Sequence, residues 1–206
     1  MREHEVVLNA KIRRQWDRLM RPIGGGLSRM GVAPDAVTAF GVVLQVVAAA
    51  WIVEGRLVAA GLISAAAALM DVLDGAVARA KGVVTKFGAL LDSTTDRLAD
   101  ALVFIPIAWL YGVSPDIPEH DRPWVAAVAL VAMVASFLVS YVKARAEGLG
   151  FECNVGFAER AERMILMILA FLFDVVPIAV VLVAAASAIT FVQRIVHVRK
   201  QAVHAA

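Results

Sequence analysis

Residues 71–96 read DVLDGAVARAKGVVTKFGALLDSTTD and lie between long apolar runs. The stretch contains four aspartates in two pairs: Asp71 with Asp74, and Asp92 with Asp96. Spacings of three and four residues place each pair on one face of a helix. A short turn within residues 81–85 would make the two helices antiparallel neighbours. The four carboxylates are therefore expected to converge about 12–15 Å from the end of the helix pair, at 1.5 Å of rise per residue.

The composition around this stretch is that of a membrane protein. Of the 206 residues, 61% are hydrophobic and 18% are charged. Water-soluble domains usually have about 45–50% apolar and about 25% charged residues. The excess of apolar residues indicates lipid-facing helices. The single cysteine, Cys153, excludes an intrachain disulfide.

The hydropathy pattern predicts an all-α integral membrane protein with six transmembrane helices. A span needs about 20 mostly apolar residues. We expect one domain over 1–206, with an interfacial segment in 1–33 and a six-helix bundle in 34–198. The predicted spans are 34–53, 57–80, 86–112, 123–146, 157–174 and 176–198. Within 3–23, apolar residues at 3–4 spacing alternate with basic ones, which is typical of an amphipathic helix lying on the membrane or packing on the bundle.

The last two spans come from one apolar run, 164–193, interrupted by Asp174 and Pro177. A single helix of that length would be about 45 Å long, whereas the hydrocarbon core is about 30 Å thick. Residues 174–177 are therefore predicted to form a turn between two helices.

The basic residues predict the orientation in the cell membrane. With both termini in the cytoplasm, only Arg56, Arg97 and Arg122 of the 20 lysines and arginines fall outside cytoplasmic segments and helix ends. This bias follows the positive-inside rule. The basic residues are scattered between apolar segments, so we expect no nucleic-acid partner.

The aspartates predict a metal centre facing the cytoplasm. Four carboxylates in a low dielectric repel one another unless positive charge lies among them. Oxygen ligands favour hard cations, so we expect Mg²⁺ or Mn²⁺ rather than zinc. Two ions per site would suit phosphoryl chemistry on a diphosphate.

The pattern D-x2-D-G-x2-A-R-x8-G-x3-D-x3-D, starting at Asp71, resembles the signature of the CDP-alcohol phosphotransferases at every fixed position. The resemblance implies transfer of a phosphatidyl-type group from a CDP-linked lipid to an alcohol, with release of CMP. It implies that Asp71, Asp74 and Asp92 bind metal, that Asp96 binds metal and acts as general base, and that the protein is a homodimer. It also implies a nucleotide pocket, to which we assign Asp35, Thr38, Gly75, Ala78, Arg79 and Thr85.

The second half of the chain predicts a phosphorylated acceptor. Basic residues at cytoplasmic helix ends could form an anion pocket beside the aspartates, and the assigned set is Ser140, Lys143, Arg160, Arg163 and Arg194. These segments resemble actinobacterial phosphatidylinositol phosphate synthases, which implies CDP-diacylglycerol as donor and inositol 1-phosphate as acceptor. Glycerol 3-phosphate is the alternative acceptor.

Two alternatives stay open at this point. Acidic residues in the membrane also occur in cation transporters, although these predict an ion path reaching both sides. Asp100, one turn beyond Asp96, either supports the site or pairs with Arg97.

Overall fold

The computed structural model describes residues 22–82, 85–113 and 121–205. Over these ranges the protein is all-helical, with seven helices and no strand. They are α1 (22–29), α2 (Pro34–Val53), α3 (Leu57–Lys81), α4 (Lys86–Gly112), α5 (Pro123–Gly148), α6 (Arg160–Leu172) and α7 (Val176–Ala205). The predicted all-α class is confirmed. The predicted amphipathic helix of 3–23 lies almost wholly outside the described residues.

Within the described ranges, four helices are long and apolar enough to cross a membrane: α2, α3, α5 and α7. The other two predicted spans fall on α4 and α6. Helix α4 has 27 residues, but five of those from Lys86 to Asp100 are charged. Helix α6 has only 13 residues.

Helix α6 is shorter than the predicted span of 157–174, because both of its ends are set by backbone geometry. Residues 151–159 are irregular, and Gly156 has a φ of 107°. A Cβ at Gly156 would lie 2.3 Å from the Cγ2 atom of Thr190, so a helix-forming residue does not fit there. Beyond Leu172, Asp174 has a φ of 53°, a left-handed conformation that ends a helix. A turn separates the last two helices as predicted, but it spans 173–175 rather than 174–177, because α7 already begins at Val176.

The chain divides into two compact units. The first unit comprises Met1–Leu44 and Ala66–Thr95. Within it, α1 and α2 both approach α3 closely: a Cβ at Gly24 would lie 2.7 Å from the carbonyl oxygen of Ala76, and one at Gly41 would lie 3.2 Å from the Cβ of Met70. Small residues at these crossings let helix backbones approach, as they commonly do in membranes.

The second unit comprises Gln45–Ala65 and Asp96–Ala206, and it contains one large apolar core. Helices α5 and α6 both pack against α7. The core is formed by fully buried side chains, among them Ile52, Phe104, Ile107, Leu110, Met167 and Phe171. Because lipid is as apolar as these side chains, close packing rather than exclusion of water holds the core together in a bilayer.

Candidate active site

The carboxylate of Asp92 lies close to those of two other aspartates. In the first unit, an oxygen of Asp71 on α3 lies within 4.8 Å of an oxygen of Asp92 on α4. Asp96 lies one turn further along the continuous helix α4, and its oxygen is within the same distance of that of Asp92. Oxygens on opposite sides of one Mg²⁺ are about 4.2 Å apart, given metal–oxygen distances of about 2.1 Å. The spacing and the all-oxygen donor set therefore fit a divalent cation.

Asp74 differs from the other three aspartates. It is buried, and its Oδ2 accepts a hydrogen bond from the hydroxyl of Thr38 on α2. It does not belong to the group whose oxygens lie within 4.8 Å of one another. Thr38, assigned from the sequence to the nucleotide pocket, thus orients a carboxylate of the predicted metal centre.

Gly75 and Arg79 share one side of α3. A Cβ at Gly75 would lie 3.2 Å from Nη1 of Arg79, so the guanidinium folds back over the glycine. Arg79 is exposed and Ala78 is half-buried. Glycine at 75 therefore leaves the space that the guanidinium of Arg79 occupies.

The two remaining nucleotide-site candidates have ordinary roles at helix starts. Asp35 is exposed in the first turn of α2, where a carboxylate interacts favourably with the helix dipole. The Oγ1 of Thr85 accepts the N–H of Gly88 at 2.9 Å and so caps the start of α4. Their assignment to the nucleotide pocket stays a prediction.

Asp96 is paired with a cation within the second unit. The Nη1 of Arg160, in the first turn of α6, lies 2.7 Å from its Oδ1, and Arg97 lies 3.7 Å from its Oδ2. The Arg160 and Asp96 side chains are 25% and 19% exposed. The candidate base therefore contacts a guanidinium that water can also reach.

Asp100 pairs with Arg163 rather than with Arg97. The Nη2 of Arg163 donates to Oδ2 of Asp100 at 2.8 Å, and both side chains are 4% exposed. Sequence reasoning left Asp100 outside the site because its nearest basic neighbour in sequence is Arg97. The available signal was its position one turn after Asp96, on the same helix face.

Of the other residues assigned to the acceptor site, Arg194 is buried and its guanidinium is already engaged. It donates to the carbonyl oxygens of Val155 at 2.9 Å and Val139 at 2.7 Å. Ser140 and Lys143, towards the end of α5, are half-buried. Arg160 and Lys143 are thus more accessible than Arg163 and Arg194.

The described helices and the carboxylate cluster fit a membrane protein that could hold a divalent cation, and the family follows from sequence comparison. The chain matches the CDP-alcohol phosphatidyltransferase family over residues 31–192. The chain therefore belongs to this family and is a CDP-alcohol phosphotransferase. Membership decides against the transporter alternative.

Relatives of known identity resemble nearly the whole chain. An archaetidylinositol phosphate synthase of Pyrococcus horikoshii is 39% identical over 193 residues, covering 93% of this chain and 97% of the relative. The crystal structure of Mycobacterium tuberculosis phosphatidylinositol phosphate synthase with CDP-DAG bound is 37% identical, with a TM-score of 0.78, and covers 88% of this chain and 94% of that one. A structure of the same enzyme in complex with manganese and citrate is 35% identical, with a TM-score of 0.77 and coverages of 87% and 88%.

Proposed function

We propose that this protein transfers the phosphatidyl group of CDP-diacylglycerol to inositol 1-phosphate. A hydroxyl oxygen of the inositol attacks the phosphorus that bears the diacylglycerol. The bond from that phosphorus to the bridging oxygen breaks, and CMP leaves with the electron pair. The hydroxyl proton passes to the Asp96 carboxylate. The products are phosphatidylinositol phosphate and CMP.

The contact between Asp96 and Arg160 is the observation that carries this proposal. It places a cation, suited to binding a phosphorylated acceptor, on the carboxylate proposed as general base. Two relatives support the acceptor, since one is named archaetidylinositol phosphate synthase and the other phosphatidylinositol phosphate synthase. The CDP-DAG bound to the second supports the donor.

The carboxylates would hold the divalent cations on which this chemistry depends. The clustered oxygens come from Asp71, Asp92 and Asp96. Asp74 would contribute a further carboxylate, which the hydrogen bond from Thr38 orients. We propose two Mg²⁺ or Mn²⁺ ions per site. Bound there, they would neutralise the diphosphate and stabilise the departing CMP. The manganese complex of the tuberculosis enzyme supports the choice of metal.

The nucleotide would lie along the part of α3 that follows the aspartates. The guanidinium of Arg79, folded over Gly75, can bind a phosphate oxygen, and Ala78 offers a smooth surface to the cytidine ring. Asp35 and Thr85 are proposed as outer contacts.

The acceptor phosphate would bind Arg160 and Lys143, because these side chains retain access to solvent. Ser140, half-buried three residues before Lys143, could donate a further hydrogen bond. Arg163 and Arg194 stay predicted members of the site, but their present partners favour an indirect role.

The proposed topology has six spans and both termini in the cytoplasm. Helices α4 and α6 would be the two spans beyond the four that hydropathy alone identifies. Tryptophans near helix ends support a span by α4: Trp109 lies near its end and Trp124 near the start of α5, both half exposed. Such residues concentrate at membrane interfaces. The single domain over 1–206 and the homodimer remain predictions.

The test is CMP release by the purified protein with CDP-diacylglycerol and Mg²⁺, comparing inositol 1-phosphate, free inositol and glycerol 3-phosphate. We expect turnover with inositol 1-phosphate alone, and a reaction without acceptor provides the control for hydrolysis. Turnover with glycerol 3-phosphate instead would keep the metal centre and the base but reassign the acceptor. Release of CMP with free inositol at the same rate would contradict the proposed phosphate pocket.

A further inference from the structure

A buried ion pair in the second unit has no direct role in the bond-making and bond-breaking steps proposed above. Asp100 on α4 and Arg163 on α6 meet at 2.8 Å, and both side chains are 4% exposed. Moving two charges out of water costs several kcal/mol, and apolar side chains of similar size often give equal or greater stability. Stability alone therefore does not explain this pair.

Arg163 also fixes the start of α6. Its Nη1 donates to the carbonyl oxygen of Ala158 at 2.9 Å, two residues before the helix begins. The N–H of Ala158 donates in turn to Oγ1 of Thr190 on α7 at 3.2 Å. All four residues, from Asp100 through Arg163 and Ala158 to Thr190, are buried. A series of buried hydrogen bonds thus connects α4, the first turn of α6 with the residues just before it, and α7.

The same two helices make a second, more exposed pair one turn away. On α4, Asp96 and Asp100 are four residues apart and share a face. On α6, Arg160 and Arg163 are three residues apart and also share a face. Asp96 meets Arg160 at 2.7 Å with both side chains partly exposed, whereas Asp100 meets Arg163 in the interior. The rotation of α6 that brings Arg163 into contact with Asp100 also brings Arg160 into contact with Asp96.

We propose that Asp100 and Arg163 are positioning residues, whose buried pair holds Arg160 against Asp96 where the acceptor phosphate binds. Neither touches substrate; they act through Arg160. Arg160 carries a long, flexible side chain, and both it and Asp96 are partly exposed to solvent. A partly exposed ion pair is less firmly held than a buried one, because water can compete for both charges. The Asp100–Arg163 pair supplies the fixed geometry, because the buried guanidinium of Arg163 donates to two acceptors at once, Oδ2 of Asp100 and the carbonyl oxygen of Ala158. The inference rests on the proposed function, since it assigns Arg160 to the acceptor.

The test compares variants that keep the fold but lose the buried charges. The main variant combines Asp100→Leu with Arg163→Met, which replaces the pair by apolar side chains and leaves no uncompensated charge. Asp100→Asn is the second variant; it keeps the shape of the side chain but leaves the buried Arg163 without a charged partner. Ser136→Ala is the matched control, because Ser136 makes a buried contact of 3.4 Å with Ser187 between α5 and α7 in the same unit. Steady-state kinetics would be measured separately for CDP-diacylglycerol and inositol 1-phosphate, together with thermal unfolding in detergent.

We expect the double replacement to unfold at or above the wild-type temperature yet to raise the acceptor KM about 10- to 100-fold, as loss of positioning does. The donor KM should stay within about twofold, and Ser136→Ala should leave both constants unchanged. When Arg160→Ala is already present, adding Asp100→Asn should change the acceptor KM little further. An unchanged acceptor KM in the double replacement would overturn the proposal. So would an acceptor KM in the combined Arg160→Ala and Asp100→Asn variant that equals the product of the two single increases.

Hydrogen exchange tests the same inference without catalysis. Asp100→Asn should speed amide exchange in 158–164 about 10-fold or more, as expected for a local opening of lower free energy, while Ser136→Ala should not. Unchanged exchange there would refute the positioning role even if no acceptor were turned over. Conversely, faster exchange in a protein that releases no CMP would support the positioning contact and refute the proposed function alone.

Discussion

Asp96→Asn should abolish most catalysis while leaving the protein folded. The substitution keeps the shape of the side chain but removes the group proposed to take the proton from the acceptor. It also removes a charged oxygen from the cluster formed with Asp71 and Asp92. Both losses act on the transition state rather than on the packing of the core.

The size of the effect follows from the surroundings of Asp96. General-base catalysis typically contributes about 100- to 10,000-fold to the rate, equivalent to about 2.7–5.4 kcal/mol of barrier. The effect on stability should be smaller, since the ion pair with Arg160 is 19–25% exposed and Arg160 can turn to water. Pairs with such exposure contribute about 1 kcal/mol or less. We therefore expect a large fall in kcat with a small change in unfolding temperature.

The assay is CMP release at saturating CDP-diacylglycerol, acceptor and Mg²⁺, so that weaker binding of metal does not hide the chemical step. Thr94→Ala is the matched control on the same helix, because the Thr94 hydroxyl is exposed and donates to the backbone carbonyl of Leu90. Full activity in Asp96→Asn would refute the role of Asp96 as base. A loss of activity that excess Mn²⁺ restores completely would reduce its role to that of a metal ligand.

The glycines give two further predictions. Gly75→Val places a side chain where the Arg79 guanidinium lies, because a Cβ at this position would be 3.2 Å from Nη1 of Arg79. The KM for CDP-diacylglycerol should rise about 10-fold, which corresponds to the loss of a hydrogen bond to a charged group. An unchanged KM for CDP-diacylglycerol would contradict the assignment of Arg79 to the nucleotide pocket. Gly156→Ala combines a φ of 107° with a contact of 2.3 Å to Thr190, and should destabilise the protein by about 2–4 kcal/mol in detergent unfolding. Gly150→Ala, with a φ of 85° and open space around it, isolates the backbone contribution; equal losses in both variants would contradict the predicted clash.

Much of the helical architecture could be predicted from local pattern. The breaks at residues 54–56 and 173–175 fall where the apolar runs meet glycine, charge or proline, which are local signals for a chain reversal. Helices α2 and α3 begin at the predicted residues, and α4 spans 86–112 as expected. Helix α6 was mispredicted in length because its start depends on the contact of Gly156 with Thr190, a residue of another helix.

The site was predictable to the extent that it lies on single helices. The spacing of Asp92 and Asp96 is sufficient to place both carboxylates on one face of α4, and the structure brings an oxygen of Asp92 within 4.8 Å of an oxygen of Asp71 on α3. Asp74 looked equivalent in sequence, but the hydroxyl of Thr38 engages it from another helix. A hydrogen bond between residues 36 positions apart leaves no signal in the helical periodicity of the sequence.

The sequence by itself determined the membrane class, the all-helical fold and the aspartate cluster, because hydropathy and helical spacing act through neighbouring residues. Tertiary structure alone decided which arginines of α6 solvent can reach. Arg160 and Arg163 are three residues apart and chemically identical, yet one is a quarter exposed on Asp96 and the other is buried on Asp100. That difference arises from the rotation of α6 against α4, and packing between distant segments of the chain sets this rotation.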